Sequence, residues 1–270
     1  MQENAKLPIK TVYYSDEAND EFSDAKINAR VIDSKYVYLS KNPFWNVIRF
    51  VLHKIIAPPI AFPYTKIILG HRVKNKSILK GFRKKGYFLY ANHTQQIGDA
   101  VMPSTTLFPK GVFTIVHPDN VSIPFWGRVT QYLGAMPTPT SLSAMRNFRN
   151  AIEKRILEGA CVTIYPEAHI WPYCTKIRNF PSTSMSFPVD FDEPSFSMTT
   201  TYKKRRFFKK PRPVSYIDGP FYPDKALPRK DRIEKLRNDI YEAMSARTKE
   251  SDCEYIRYVK IETERKTEND

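Results

Sequence analysis

The chain has 270 residues, 41% of them hydrophobic, so it can bury a sizeable core as one large α/β domain or two small ones. Its net charge of +15 favours a polyanionic partner (nucleic acid, an anionic membrane or a phosphorylated substrate) without choosing among them. The three cysteines, Cys161, Cys174 and Cys253, are odd in number and widely spaced, which argues against a disulfide framework and against a metal site. A reduced, cytosolic environment is expected, and the start MQENAKLPIK lacks the apolar core of a secretory signal.

Residues 1–42 read as a peripheral segment. An acidic cluster (Asp16, Glu17, Asp20, Glu21, Asp24) precedes VIDSKYVYLS at 31–40, which is expected to form one edge strand. Residues 43–72 follow as a helical segment. The stretch from Phe44 to Leu69 is apolar but interrupted by Arg49, Lys54 and Lys66 and broken at Pro58-Pro59 and Pro63. It therefore predicts two short helical pieces rather than a simple spanning helix. Phe44, Trp45, Ile48, Val51, Leu52, Ile55 and Ile56 recur at helical spacing opposite Asn46, Arg49, His53 and Lys54. An aromatic and aliphatic face with a basic flank suits a helix lying in a bilayer interface, with Phe44, Trp45 and Ile48 as membrane contacts. The plainer alternative is a helix covering the core.

From residue 73 the rhythm becomes α/β. YFLYAN (87–92), GVFTIV (111–116) and ACVTIYP (160–166) predict buried strands. Ser143 to Glu158 predicts a helix, with Ser143 as cap and Gly159 as stop. Residues 196–206 and 212–221 predict a β-hairpin, and Asp231 to Ala246 a closing amphipathic helix. Strands alternating with helices imply an α/β fold with a mixed, mainly parallel sheet flanked by helices.

Two clusters carry chemistry. YFLYAN runs into His93-Thr94-Gln95-Gln96-Ile97-Gly98-Asp99, a polar cluster at the carboxyl end of a buried strand, where open α/β sheets place their sites. A histidine with a nearby carboxylate has the parts of a general base and its orienter. A lone loop histidine more often only caps a turn. The second cluster, Tyr165-Pro166-Glu167-Ala168-His169-Ile170-Trp171-Pro172, also follows an apolar strand and would bring Glu167 beside the first. Its bland reading is a tight turn with a solvated glutamate.

Together these clusters resemble the glycerol-phosphate and lysophosphatidate acyltransferase family over roughly residues 80–246. The family's first motif matches Asn92-His93 with Asp99. Its Pro-x-x-Gly block matches Pro124-Phe125-Trp126-Gly127, followed by Leu133-Gly134-Ala135-Met136-Pro137. Its aromatic-Pro-Glu block matches Tyr165-Pro166-Glu167. The resemblance implies an acyltransferase domain over 73–250, with 251–270 as a charged tail. It implies that a fatty acyl group moves from acyl-CoA or acyl carrier protein to a lyso-glycerolipid or related alcohol. His93 would be the base and Asp99 its orienter, with substrate contacts at Asn92, Gly134, Pro166 and Glu167. No cofactor beyond the thioester donor is implied. The partners are a lipid acceptor and an anionic membrane, at whose cytoplasmic face the protein would sit as a peripheral or monotopic enzyme.

The departures concern the acceptor. Five residues, not four, separate His93 from Asp99, and Gly98 is expected to absorb the extra one through positive φ. The positions of the two family arginines associated with the acceptor's phosphate hold Thr140 and Ile170, and Ser197-Met198-Thr199 is the nearest match to the fourth block. Replacement cations lie close by in sequence: Arg128, His169, Lys176 and Arg178. The backbone N–H groups opening the helix after His93 are expected to receive the oxyanion. The run Lys203-Lys204-Arg205-Arg206-Phe207-Phe208-Lys209-Lys210 reads as a hairpin tip, with Phe207 and Phe208 as further membrane contacts or simply as part of a solvated turn. A non-catalytic lipid-binding member of the fold is the runner-up. A nucleic-acid binder would explain the charge but not the apolar segment, and no RNA motif is visible.

Overall fold

Among the residues described by the computed structural model (10–22, 29–124 and 126–261), the apolar runs become strands, as their β-branched and aromatic content dictates. The strands are β1 (Lys10–Tyr14), β2 (Arg72–Lys74), β3 (Tyr87–Ala91), β4 (Val112–Val116), β5 (Ala135–Pro137), β6 (Cys161–Ile164), β7 (Ser195–Lys203), β8 (Arg212–Phe221) and β9 (Ile256–Lys260). Seven of them form one sheet in the order β2-β8-β7-β3-β6-β4-β5. Every neighbouring pair is parallel except the β7–β8 hairpin. The helices are α1 (Pro43–Phe50), α2 (Ala57–Pro63), α3 (Gly98–Leu107), α4 (Trp126–Tyr132), α5 (Leu142–Leu157), α6 (Ser186–Phe191) and α7 (Arg229–Arg247).

Alternation along the strands sends side chains to two cores. Phe88, Tyr90, Val162 and Ile164 pack with Phe148 and Ile152 of α5, Val189 of α6 and Leu236, Ile240 and Met244 of α7. Tyr87, Leu89, Ala91, Phe196 and Met198 pack with Met102 and Leu107 of α3 on the other face. The helix expected from Ser143 starts one residue earlier, with Ser141 as its N-cap residue. Gly159 ends that turn at φ +74°, and a Cβ there would lie 2.4 Å from the Lys84 carbonyl oxygen.

The segment 31–40 forms no strand. Its polar groups are taken by side chains and by a neighbouring turn instead. Ile32 N donates to Thr140 Oγ1 (2.9 Å), Thr140 N donates to the Ile32 carbonyl (3.1 Å), and Tyr38 Oη donates to the Pro137 carbonyl (2.7 Å). The alternation there reports Ile32 and Tyr38 turned toward the core, not a ladder.

Nor do the prolines split the apolar stretch. Pro43–Ile68 is one helix of 26 residues, long and apolar enough to cross a bilayer by length and composition. Two π-helical stretches, Val51–Ile56 and Tyr64–Ile68, flank α2. Ala57 N donates to the Leu52 carbonyl, and Leu69 N reaches Tyr64 O at 2.9 Å. These wider turns accommodate proline rings and skip bonds that prolines cannot donate.

The helix lies along the domain. Trp45 packs at a tilt against Tyr132 (4.2 Å between centroids), Lys54 Nζ donates to the Pro109 carbonyl (2.5 Å), Phe62 meets Phe108 (5.6 Å), and Thr65 is fully buried. Phe44, Val47, Ile48, Ile55, Ile60 and Ile67 stay exposed on the outward side.

The two ends of the described chain meet. β1 and β9 pair in parallel as a separate two-stranded sheet. Tyr14, Phe22 and Tyr258 surround Trp171, with ring centroids 4.7, 5.2 and 4.8 Å away. Of the acidic cluster, Asp24 lies outside the described residues.

Candidate active site

β3 ends at Ala91, in the middle of the sheet, and the chain turns at once into the polar loop 92–97 that leads to α3. The turn is anchored by Asn92. Its side-chain amide donates to the Thr200 carbonyl (2.9 Å) and accepts from Thr200 N (2.7 Å). Asn92 thus extends the β3–β7 ladder by one side chain, with one amide N–H and one oxygen lone pair given to the fold.

His93 and Asp99 come together. His93 Nδ1 lies 2.8 Å from Asp99 Oδ2, and the same oxygen accepts the backbone N–H groups of Thr94 and Gln95, each at 2.8 Å. The intervening loop reverses the chain so that Asp99, in the first turn of α3, faces back on the histidine. Gly98 is required there for close approach and not for positive φ: a Cβ would lie 2.8 Å from the Gln95 Cβ. Because Thr94 and Gln95 N–H are held by Asp99, and Asp99 N bonds the Gln95 carbonyl, none of these three amides serves an oxyanion. Burial pushes the Asp99 carboxyl above its ordinary value, while His93 and the two amides hold it back. An Nδ1–H donated to Asp99 leaves Nε2 as the free lone pair of the neutral ring. The His93 side chain is 17% exposed, and its Nε2 makes no hydrogen bond to another described residue.

The second cluster supports this pair from beneath. The Tyr165 ring stacks on the imidazole (4.4 Å between centroids), and its hydroxyl donates to the Asp99 carbonyl (2.6 Å). Glu167 Oε2 accepts His93 N (3.2 Å) and Arg178 Nη2 (3.2 Å), and Oε1 accepts Arg178 N (3.1 Å). Burial raises the Glu167 carboxyl, and the Arg178 charge opposes it. Trp171 N donates to the His93 carbonyl (3.0 Å) and Tyr173 N to the Thr94 carbonyl (2.9 Å), which ties this loop to the first. Pro166 is buried within it.

The expected replacement cations fall elsewhere. Arg178 is 2% exposed, bonded to Glu167 and to the His169 carbonyl, and lies over the Trp171 ring (4.8 Å). It is an internal counter-ion and not a free grip for phosphate. Lys176 and Arg128 are exposed, and His169 faces Glu21 at 3.6 Å. Gly134 sits at φ +99° between α4 and β5, where a Cβ would lie 2.5 Å from the Val112 carbonyl oxygen. Its need is backbone approach, not ligand contact. Thr140 holds Ile32, so the N-terminal segment crosses the position where the resemblance places an arginine.

The sequence marks Tyr165 only as the aromatic of a motif; the structure puts its ring under His93. Tyr202 was missed altogether: its hydroxyl donates to Thr94 Oγ1 (2.7 Å) and accepts Gln95 Nε2 (3.0 Å). The only available signal is an aromatic with a polar tip within a predicted strand.

α3 and the long helix enclose a mostly apolar groove. It is lined by Ala100, Val101, Ser104 and Phe108 on one side and Ala57, Ala61 and Phe62 on the other, so it begins at the residue after Asp99. Phe108 and Lys110 also line a cavity of about 530 Å³ that reaches Leu79, Phe82 and Tyr87.

No protein-family profile matches the sequence, and no curated protein matches it. Among solved structures, the chain is similar to the crystal structure of the 1-acyl-sn-glycerophosphate (LPA) acyltransferase PlsC from Thermotoga maritima. The TM-score is 0.51 at 14% identity, over 77% of this chain and 84% of that one. The chain therefore has the acyltransferase fold, with low sequence identity to that structure.

Proposed function

We propose that the protein is an O-acyltransferase acting at a membrane surface, moving a fatty acyl group from a thioester on coenzyme A or a carrier protein to the hydroxyl of a lipid acceptor. The observation that carries this reading is the 2.8 Å contact of His93 Nδ1 with a buried Asp99 at the carboxyl end of β3, in a chain that has the acyltransferase fold. His93 Nε2 takes the proton of the acceptor hydroxyl as that oxygen attacks the thioester carbonyl. The tetrahedral intermediate collapses, the thiolate leaves, and the imidazolium returns the proton to it. Asp99 fixes the tautomer and stabilises the imidazolium. No enzyme nucleophile is required. The mostly apolar groove between α3 and the long helix is the candidate place for the acyl chain in this reading, since its lining reaches Ala100, the residue after Asp99.

The acceptor in this reading does not rest on a phosphate grip at Thr140 or Ile170. Neither side chain carries a charge, and the Thr140 hydroxyl is already bonded to Ile32. In this reading the exposed apolar side chains of the long helix meet the bilayer, at the cytoplasmic face expected from the sequence.

The test is thioester consumption against a panel of lyso-lipids and alcohols. His93→Ala is expected to lower turnover at least about 10³-fold with the fold intact. Asp99→Asn is expected to fall by about 10²-fold or more in kcat with little change in KM. Near wild-type turnover in His93→Ala would rule the mechanism out.

A further inference from the structure

The long helix ends at Gly70, in left-handed conformation at φ +64°. Around that turn the fold gathers cations from distant parts of the sequence. Arg205 Nη2 and Arg212 Nε approach within 3.4 and 3.5 Å of where a Gly70 Cβ would stand, and Arg72 follows two residues later at the start of β2. Arg205 Nη1 donates to the last helical carbonyls, Ile68 (3.1 Å) and Leu69 (3.3 Å), which fastens the β7–β8 tip to the helix end. The Nε atoms of Arg205 and Arg212 are both buried and have no partner. None of the three arginines forms an ion pair among the described residues. Burial, then the charges of Arg72 and Arg205, push Arg212 below the ordinary arginine value.

Three crowded guanidiniums with no carboxylate are repulsive unless an anion joins them, and their forked N–H groups match phosphate oxygens. Exposed apolar side chains flank the cluster: Ile67 and Ile68 on the helix, Phe207 and Phe208 on the tip. Arg205 lies over the Phe208 ring at 3.7 Å. The cluster also stands on the catalytic edge of the sheet, since β7 runs past the Asn92–Thr200 pairing before it reaches the tip.

We propose that Arg72, Arg205 and Arg212 form a binding site for the phosphate of an anionic phospholipid headgroup in the bilayer surface, with Ile67, Ile68, Phe207 and Phe208 entering the interface around it. Charge complementarity selects the phosphate, and the apolar rim selects a lipid over a free anion. The site rests on the membrane-surface reading and deepens it. It holds the helix end and the hairpin tip to one lipid, so the plane of the membrane is set relative to His93.

The experiment is vesicle co-sedimentation of the full chain. The vesicles are phosphatidylcholine doped either with phosphatidic acid or with oleic acid to the same surface charge. Wild type is expected to bind the phosphatidic acid vesicles at least about tenfold more tightly. The Arg212 side chain donates no hydrogen bond to another described residue, so Arg212→Gln removes the cation and leaves the backbone ladder with Lys203 in place. It is expected to bring the ratio close to one, and Arg72→Gln to lower it. Lys209→Gln with Lys210→Gln should weaken binding to both vesicles and keep the ratio. Equal binding of wild type to both vesicles, or a ratio unchanged in Arg212→Gln, overturns the site. Displacement of wild type from phosphatidic acid vesicles by millimolar inorganic phosphate alone overturns the lipid assignment in favour of a free anion. His93→Ala, run alongside, should keep the ratio, so that failure of the catalytic reading and failure of the site are told apart.

Discussion

His93 has the Asp99 carboxylate to orient its ring, the Tyr165 ring to lie on, and the Glu167 carboxylate to hold its backbone amide. Asp99 is 2% exposed and Glu167 5% exposed, so each carboxylate must be balanced within the protein. Asp99 is balanced by two backbone amides and the imidazole, and Glu167 by Arg178 and the His93 amide. This changes what an arginine in this loop means. Arg178→Ala is expected to cost about 3–5 kcal/mol of stability, because it leaves the Glu167 charge buried and unpaired. Arg178→Ala with Glu167→Gln should recover much of that loss. Urea denaturation of the two variants checks it. A stable Arg178→Ala protein whose KM rises for phosphorylated acceptors alone would instead make Arg178 a substrate contact.

At the scale of elements, the long helix has two different faces with different duties. Its inner side is held by Trp45 on Tyr132, Lys54 on the Pro109 carbonyl and Phe62 on Phe108. Its outer side leaves Ile55 at 56% and Ile60 at 68% exposure. A helix held to a domain on one side and open on the other suits a position in the bilayer interface. Ile55→Ser with Ile60→Ser is therefore expected to leave the thermal midpoint nearly unchanged, within about 0.5 kcal/mol per exposed site. The same pair should weaken partition into phosphatidylcholine-based vesicles by about tenfold or more, since burying an isoleucine side chain contributes about 1.5–3 kcal/mol. Melting curves and co-sedimentation of the same preparation separate the two effects. A large drop in the melting temperature would place these residues in a core.

For the whole molecule, the site depends on segments far apart in sequence. β1 and β9 pair across the chain, and their aromatics close on Trp171, whose ring nitrogen donates to the Asp20 carbonyl at 2.8 Å. Trp171 N in turn donates to the His93 carbonyl. Trp171→Ala is expected to destabilise the protein by about 3–5 kcal/mol as a large buried aromatic lost. It should also lower turnover through the loosened His93 loop. Differential scanning calorimetry and the thioester assay on one sample report both. Full stability in Trp171→Ala would show that the terminal strands lie on the loop without supporting it.

What the sequence by itself determined is local. The strands around 87–91, 112–116 and 161–164, the hairpin and the helices α5 and α7 follow from runs and periods only a few residues long, and the pairing of His93 with Asp99 follows from one short turn. The fold class followed from the alternation of those elements. Tertiary structure decided what depends on distant partners. It turned 31–40 into a pinned irregular segment because Thr140, more than a hundred residues away, offers its hydroxyl. It kept the helix unbroken through three prolines because wide turns and a packed inner face replace the missing bonds. It made Arg178 an internal counter-ion because Glu167 lies where water does not reach. It gathered Arg72, Arg205 and Arg212, whose convergence no spacing along the chain announces, because β2, β7 and β8 meet at one end of the sheet. Side-chain burial and charge pairing are properties of the assembled sheet, and a one-dimensional pattern carries them only where neighbours in space are also neighbours in sequence.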